Sequence, residues 1–374
     1  MKIVFICGCL EDGRDGVGDY TLRLACQILN MGHSANILAI DDKYVNQKIA
    51  EPKNAYQQTV TVLRLPHIWP LRQRFLEARK NIDEIAPDWI SLQFVIFSFH
   101  KKGLPFGLAK HLAALGSYGN WHIMFHETWV RKQSFFDIKH YLWGQIQQRL
   151  IVNLIKVLKP KVIHTNTHLY QSELNNLGFN AQYLPLFSNI PNFDKGKGLN
   201  FEVNSPKKNI SFIVFGQLHR NVQIQDFVND VLDYSIKNNI MAFLIILGRC
   251  GDEMENWVSK WKAANMSVKV WGEQPLNKVS EILKTADIGI STMNISLIEK
   301  SGSVAAMHEH GVPVISVSRA WQSTKWNNIE QPIGVFIYRK GNLDSILRSD
   351  LDFKTSNNIL VVAKAFIGAL LKSS

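Results

Sequence analysis

The sequence lacks the features that mark several common classes of protein. Cysteine is scarce, with four residues in 374 and no CxxC pair, so we expect reduced thiols in a cytoplasmic protein rather than a disulfide framework or a zinc site. No stretch approaches the ~18 consecutive apolar residues of a membrane-spanning helix. The opening "MKIVFICGCLEDG" holds only a short apolar run, which alternates like a strand and ends in acidic residues. It therefore does not predict a signal peptide.

Acidic residues are outnumbered, and the imbalance is uneven along the chain. The formal net charge is +11, and residues 101–161 hold ten Lys or Arg against two acidic residues, interleaved with Phe, Trp and Tyr. Such a surface could meet an anionic membrane face or a phosphorylated lipid. It could equally be a solvated basic face with core aromatics behind it. No nucleic-acid-binding motif accompanies the charge, so we expect no nucleic-acid partner.

Hydrophobic patterns typical of strands and helices alternate along the whole chain. Strand-like runs such as "KIVFICG" and "WHIMFHE" are separated by helix-like runs such as "DYTLRLACQILNMGH", and this alternation predicts right-handed βαβ units in parallel sheets. A stretch rich in Asn, Gly and Lys at 191–208 predicts a linker. We therefore predict an α/β protein with one Rossmann-like domain at 1–190, a second at 209–350 and an amphipathic closing helix within 351–374.

A glycine-rich turn follows the first strand of the first predicted domain. Gly13, Gly16 and Gly18 lie between that strand and the first helix, where glycine lets a ligand approach the backbone and the helix N-terminus. Their spacing is not GxGxxG. A structural turn and a ligand-binding turn therefore both stay open.

Three stretches of the second predicted domain indicate a bound anion. Gly216 and Arg220 follow its first strand, and Arg249 follows the next one; parallel strands end on one edge of a sheet, so these arginines suggest an anion site. Further on, Lys300 precedes Ser301-Gly302-Ser303 at the start of a helix. Free N–H groups at a helix N-terminus beside a lysine favour a diphosphate, whereas a neutral helix cap would need only one of the serines.

The stretch "FHETW" places two titratable side chains at the end of a strand. His126 and Glu127 follow "WHIMF" directly, so they would lie at the carboxyl edge of the first sheet. His126 could donate a hydrogen bond or act as an acid or base. The alternative is a buried histidine whose role is structural.

Several of these stretches are similar to those of a known family. "KIVFICGCLEDGRDGVGDYTLRLACQILNMGH", "APDWISLQF" and "IMFHETW" resemble the first domain of the GT-B-fold glycosyltransferases, especially the retaining family 4 group. "FIVFGQLHRNVQIQDFV" and "LKTADIGISTMNISLIEKSGSVAAMHEHGVPVIS" resemble the second domain of that family, and the latter, with its donor loop, is the most specific part. The resemblance covers nearly the whole chain.

The resemblance implies a fold and an activity. The fold would have two Rossmann-like parallel-sheet domains facing across a cleft, with the C-terminal helix crossing back onto the first domain. The enzyme would move a sugar, with retention, from a nucleoside-diphosphate sugar bound by the second domain to a hydroxyl of a saccharide or lipid-linked saccharide bound by the first. It would need neither a metal nor a cofactor.

The resemblance also implies roles for residues, assigned by position. His126 and Glu127 would be the catalytic pair near the transferred sugar, and Arg249 and Glu299 would lie near the donor sugar or nucleoside. The residues expected at the donor diphosphate are Gly16, Gly18, Gly216, Arg220, Lys300, Ser301, Gly302 and Ser303.

The chain departs from the family pattern in two places, and other functions stay open. Gly216 is followed by Gln217 where the family usually has arginine, and the family's glutamate pair before Gly311 is missing, with Glu299 one residue from the first position. The resemblance therefore does not identify the sugar. The alternatives are a nucleotide-sugar epimerase or hydrolase of the same fold and a non-catalytic nucleotide-sugar-binding protein. We expect a cytoplasmic location, with the basic segment 101–161 as a potential contact to the cytoplasmic face of a membrane.

Overall fold

The computed structural model divides the chain into two compact units. It describes residues 1–116, 119–130, 138–193, 209–220, 222–319, 332–353 and 358–373. Unit 1 comprises Met1–Pro185 and Ile359–Ser374, and unit 2 comprises Leu186–Asn358. Most of the stretch predicted to be a linker, and residues 117–118 and 131–137 of the basic segment, lie outside the described residues.

Unit 1 is built on an eight-stranded sheet. Its strands are β1 (Lys2–Cys7), β2 (Ser34–Asp42), β3 (Ile49–Ala55), β4 (Gln58–Pro66), β5 (Trp89–Phe94), β6 (Asn120–Phe125), β7 (Val162–Thr165) and β8 (Ala181–Tyr183). Their order is β3-β4-β2-β1-β5-β6-β7-β8, with β3 antiparallel to β4 and the other pairs parallel. The helices between them are α1 (Gly16–Asn30), α2 (Leu71–Ile85), α3 (Leu108–Ala113), α4 (Ile138–Leu158) and α5 (His168–Asn176).

The local sequence explains most of these elements. Every residue of β5, "WISLQF", is buried, as expected for a strand covered on both faces of a parallel sheet. Helix α1 begins where the Asp15 side chain accepts a hydrogen bond from the Val17 N–H at 3.2 Å. Strand β3 was not predicted because "IAEPKNA" is polar, largely exposed and contains Pro52, a composition that is tolerated at the edge of a sheet.

Unit 2 is built on a six-stranded parallel sheet. Its strands are β9 (Asn209–Phe215), β10 (Met241–Leu247), β11 (Ser267–Gly272), β12 (Ile288–Ser291), β13 (Val314–Ser316) and β14 (Val335–Ile337). Their order is β11-β10-β9-β12-β13-β14, so the direction of winding reverses between β9 and β12. The helices are α6 (Ile224–Asn238), α7 (Met254–Ala263), α8 (Leu276–Lys284), α9 (Gly302–Glu309) and α10 (Leu343–Arg348), with a 3-10 turn at Ile295–Lys300 before α9.

The closing helix α11 (Ile359–Lys372) belongs to unit 1. Its stripe of Val362, Phe366 and Leu370 is buried, in agreement with the amphipathic pattern of the sequence. The Phe366 ring stacks on Phe5 with centroids 5.8 Å apart and lies edge-on to His122 at 5.0 Å. The end of the chain therefore covers the middle of the first sheet.

The prediction of an α/β protein with two parallel-sheet domains is confirmed. All four cysteines, Cys7, Cys9, Cys26 and Cys250, are buried free thiols. Within the described ranges no helix is both long enough and apolar enough to cross a membrane. The same ranges contain no group of three or more His, Cys, Asp or Glu side chains arranged to hold a metal ion.

Candidate functional site

The point where the second sheet reverses its winding brings two loops together. In open parallel sheets, ligands bind at the carboxyl ends of the strands beside such a switch point. Gly216 follows β9 in the left-handed conformation, with φ of +77°, and Thr292 follows β12. The Thr292 hydroxyl accepts a hydrogen bond from the His219 N–H at 2.9 Å and lies 3.0 Å from His219 Nδ1. The loop after β9 is therefore held against the end of β12.

Helix α9 begins directly at this point. The Ser301 hydroxyl accepts from the Val304 N–H at 3.3 Å, so Ser301 is the helix cap. A β-carbon on Gly216 would lie 2.7 Å from the Ser303 hydroxyl oxygen, whereas one on Gly302 would meet no described atom within 4 Å. The absence of a side chain at Gly216 thus lets the first turn of α9 approach the end of β9. The N–H groups of this first turn have no acceptor inside the helix.

The charge of Lys300 acts at the same place. Burial lowers the pKa of His219, and the nearby charge of Lys300 lowers it further. His219 is therefore a neutral imidazole, and the ammonium of Lys300 supplies a full positive charge next to the positive end of the α9 dipole. We call Gly216, His219, Thr292, Lys300 and Ser303 the switch-point site; its groups suit an anion such as a phosphate.

The two arginines predicted near the donor in unit 2 each lie beside carboxylates. The Arg220 side chain is 72% exposed and lies 3.5 Å from Asp252 and 3.3 Å from Glu253. Arg249 lies 3.6 Å from Glu273. A carboxylate beside each arginine offsets part of its positive charge and so weakens its attraction for an anion.

Glu299 is half-buried in the 3-10 turn that precedes α9. It therefore belongs to the element that leads into the switch-point site. The structure brings together Gly216, Lys300, Gly302 and Ser303, four of the residues expected at the donor diphosphate. His219 and Thr292 were not predicted. The signal for them was that Thr292 directly follows β12 and that His219 lies in the loop after β9.

The glycine turn of unit 1 has a different character. A β-carbon on Gly18 would lie 2.7 Å from the Cys9 carbonyl oxygen, so Gly18 allows α1 to pack against the segment after β1. Gly16 is exposed with open space around it. Burial raises the pKa of Asp19 to about 6, and the charges of Asp12 and Asp15 act in the same direction. Carboxylates gathered at this turn disfavour a diphosphate and favour neutral groups that donate hydrogen bonds, such as sugar hydroxyls.

His126 lies at the carboxyl end of β6, as predicted. It is only 5% exposed, its ring packs edge-on against Tyr20 with centroids 4.8 Å apart, and its Nε2 lies 3.0 Å from the Gln93 side-chain oxygen. Burial lowers the pKa of His126 to about 3, so the ring is neutral across the physiological range. Glu127, the next residue, is half-buried. His126 is thus suited to hydrogen bonding rather than to carrying a proton near pH 7.

No protein-family model matches the chain, and no curated protein sequence matches it. Solved structures do match across its whole length. The HepE protein of Anabaena, solved in complex with UDP, is 14% identical with a TM-score of 0.58, covering 100% of this chain and 97% of its own. The lipopolysaccharide outer core galactosyltransferase WaaB is 13% identical with a TM-score of 0.58, covering 100% of both chains. The sucrose-phosphate synthase of Thermosynechococcus elongatus is 13% identical with a TM-score of 0.59, covering 99% and 96%. These neighbours are GT-B glycosyltransferases, and the chain has the GT-B fold.

The charge of Lys300 at the switch-point site can be tested through the pKa of His219. We expect Lys300→Met to raise the pKa of His219, because a nearby cation disfavours the charged imidazolium. The measurement is a pH titration of the histidine ring resonances by NMR. The control is Lys278→Met, which removes an exposed lysine of α8 that pairs with Glu281 at 2.8 Å. An unchanged His219 titration in Lys300→Met would show that the two groups do not interact.

Proposed function

We propose that the protein is a glycosyltransferase that moves a sugar from a nucleoside-diphosphate sugar to a hydroxyl of a saccharide or lipid-linked saccharide. The observation that carries the proposal is the switch-point site, where a glycine turn, a helix N-terminus and Lys300 meet. The GT-B fold and the UDP bound by the HepE protein of Anabaena support it. The same protein has also been solved with UDP-glucose.

In this proposal the switch-point site holds the diphosphate of the donor. When the bond between sugar and phosphate breaks, negative charge grows on the leaving diphosphate. The Gly302 and Ser303 amides, the Ser303 hydroxyl and the Lys300 ammonium would stabilise that charge, and preorganised groups of this kind lower the barrier most effectively. Because these groups carry the charge, we propose a reaction that needs neither a metal ion nor a cofactor. Arg220, Arg249 and Glu299 would surround the donor in supporting positions, and the sugar would be transferred with retention.

The acceptor is assigned to unit 1. The turn containing Gly16 and Gly18 carries carboxylates that can accept hydrogen bonds from saccharide hydroxyls. His126 would contact a sugar as a neutral ring, with Glu127 beside it as the second catalytic candidate. His126 is therefore assigned to orienting the sugar rather than to accepting a proton from the acceptor.

A nucleotide-sugar epimerase or hydrolase of the same fold is the second candidate. Such an enzyme needs paired acid and base groups beside the sugar. His126 does not fit that role, because its ring stays neutral far below physiological pH. The transferase is the function that the described groups support better, and a non-catalytic nucleotide-sugar-binding protein would use the same switch-point site without turnover.

The experiment that tests the function measures release of nucleoside diphosphate and binding of UDP together. We expect a nucleoside-diphosphate sugar to release its diphosphate faster when a saccharide acceptor is added. Lys300→Ala should weaken UDP binding roughly tenfold to a hundredfold, the range expected for a hydrogen bond to a charged group. Gly216→Ala should also weaken it, because the new β-carbon would displace Ser303.

A matched control separates the Ser303 contact from backbone strain. Gly272 also has a positive φ, of +64°, but a β-carbon there meets no described atom within 4 Å. Gly272→Ala should therefore carry the same strain and leave UDP affinity unchanged. Acceptor-independent release at the same rate would favour the hydrolase. UDP binding without release of diphosphate from any donor would indicate the non-catalytic protein. If Lys300→Ala and Gly216→Ala both bind UDP as tightly as the wild type, the phosphate lies elsewhere.

We also propose that unit 1 contacts anionic membranes through the exposed face of α4. Leu142 and Ile146 are exposed on this helix beside Arg149 and Lys156, and apolar side chains next to basic ones favour a negatively charged lipid surface. A lipid-linked acceptor would be presented at such a surface.

Binding to lipid vesicles tests this contact. The protein should bind vesicles that contain anionic lipid, and binding should fall as salt is added. Reversing the charges of Arg149 and Lys156 to glutamate should weaken binding by more than about fivefold at each position, because a favourable charge is lost and a repelling one is added. Reversal of Lys262, an exposed residue of α7 in unit 2, should have no such effect. Absence of binding at every salt concentration would exclude the membrane contact.

A further inference from the structure

One face of the first sheet carries a line of buried polar side chains. Ser91 and Gln93 alternate along β5, His122 lies opposite Ser91 on β6, and His164 lies opposite Met124 on β7. Because paired residues of parallel strands point to the same side of the sheet, these side chains share one face. All four are at most 2% exposed.

These side chains form a continuous chain of hydrogen bonds that ends at His126. The His126 Nε2 lies 3.0 Å from Gln93 Oε1, and Gln93 Nε2 donates to Ser91 Oγ at 2.8 Å. Ser91 Oγ lies 2.8 Å from His122 Nδ1, and His122 Nε2 lies 3.0 Å from His164 Nδ1. Three strands are thereby linked from the core of unit 1 to the carboxyl end of β6.

The terminal helix seals the inner end of this chain. The Phe366 ring of α11 lies 5.0 Å from the His122 ring and 6.3 Å from the His164 ring, measured between centroids. Burying polar groups is costly unless their hydrogen bonds are made, so each member depends on its neighbours. In a dry environment the members also polarise one another and act as a unit.

The proton positions in this chain follow from the orientation of the Gln93 amide, whose nitrogen faces Ser91 and whose oxygen faces His126. The amide nitrogen of Gln93 donates to Ser91, so the Ser91 hydroxyl hydrogen is available to His122 Nδ1, and His122 Nε2–H then donates to His164. On the other side, Gln93 Oε1 can only accept, so His126 Nε2 must carry the hydrogen. A neutral imidazole has a single N–H. His126 Nδ1 is therefore left as an acceptor.

We propose that Gln93, supported by Ser91 and the His122–His164 pair, is a positioning residue that holds His126 in the Nε2–H tautomer. A ligand that reaches this ring meets an acceptor and must bring a hydrogen, so the group recognised here is a hydroxyl rather than a carbonyl or phosphate oxygen. The identification of that hydroxyl as part of a sugar rests on the proposed function. The assignment of the Nε2–H tautomer is independent of the proposed function.

The test is a long-range ¹H–¹⁵N correlation spectrum of the full chain with ¹⁵N-labelled histidine near pH 7.5, which distinguishes protonated from bare ring nitrogens. For the wild type we expect His126 as a single tautomer with hydrogen on Nε2. Gln93→Leu should convert it to a mixture of tautomers. Ser91 does not contact His126, but Ser91→Ala removes the hydroxyl that holds the Gln93 amide. This variant should therefore also give a mixture of His126 tautomers.

The control is Thr21→Val, which removes another buried hydroxyl of unit 1, one that donates to the Val17 carbonyl within α1. It should leave the His126 tautomer unchanged. Hydrogen on Nδ1 in the wild type would overturn the proposal, and this result does not depend on whether any variant folds. A folded Gln93→Leu with an unaltered His126 tautomer would overturn it as well.

Turnover separates this inference from the proposed function. Gln93→Leu should lower the rate of nucleoside-diphosphate release from a nucleotide sugar by roughly fivefold to tenfold, the equivalent of about one neutral hydrogen bond. Its affinity for UDP should stay unchanged. If the wild type shows the Nε2–H tautomer but no turnover with any donor, the proposed function fails and the positioning role of Gln93 stands.

Discussion

The close approach of Ser303 to Gly216 is the contact on which the candidate donor site depends. It joins the end of β9 to the start of α9, two segments far apart in the sequence, and it exists because Gly216 has no side chain and adopts a left-handed conformation. With the helix start held there, the first turn of α9 lies beside the end of β9, and Lys300 is close enough to act on His219 in the loop after that strand. Neither element would form an anion site alone. The amides at a helix N-terminus are usually satisfied by a capping side chain or by water, and a glycine turn carries no charge of its own.

The two units place opposite charges at equivalent positions of similar sheets. In each, a glycine turn follows the first strand of the parallel sheet. In unit 1 that turn holds Asp12, Asp15 and Asp19, with Lys53 paired to Asp12 at 2.9 Å, whereas in unit 2 the corresponding region lies near Lys300. The geometry of a glycine turn is therefore not enough to identify a phosphate site, and the sign of the local charge decides which ligand each turn suits.

Sequence reasoning recovered the fold better than the site. Apolar runs identified most strands, and the stripe of α11 was visible as Val362, Phe366 and Leu370. Strand β3 was invisible because its polar sequence forms a strand only by pairing with β4. Within the site, Ser301 to Ser303 could be predicted because helix starts have a local signature. The contact of His219 with Thr292, and the alignment of Ser91 with His122, depend on which strands are neighbours and in which register, and one sequence does not contain that information.

A crystal structure of the full chain with UDP tests most directly whether the switch-point site binds the donor diphosphate. If the switch-point site holds the donor diphosphate, the diphosphate oxygens lie within hydrogen-bonding distance of the Gly302 and Ser303 amides and of Lys300 Nζ, with the Ser303 hydroxyl between them and Gly216. A diphosphate bound at the acidic turn around Gly16 and Gly18 would contradict it. So would UDP bound in unit 2 without contact to the first turn of α9.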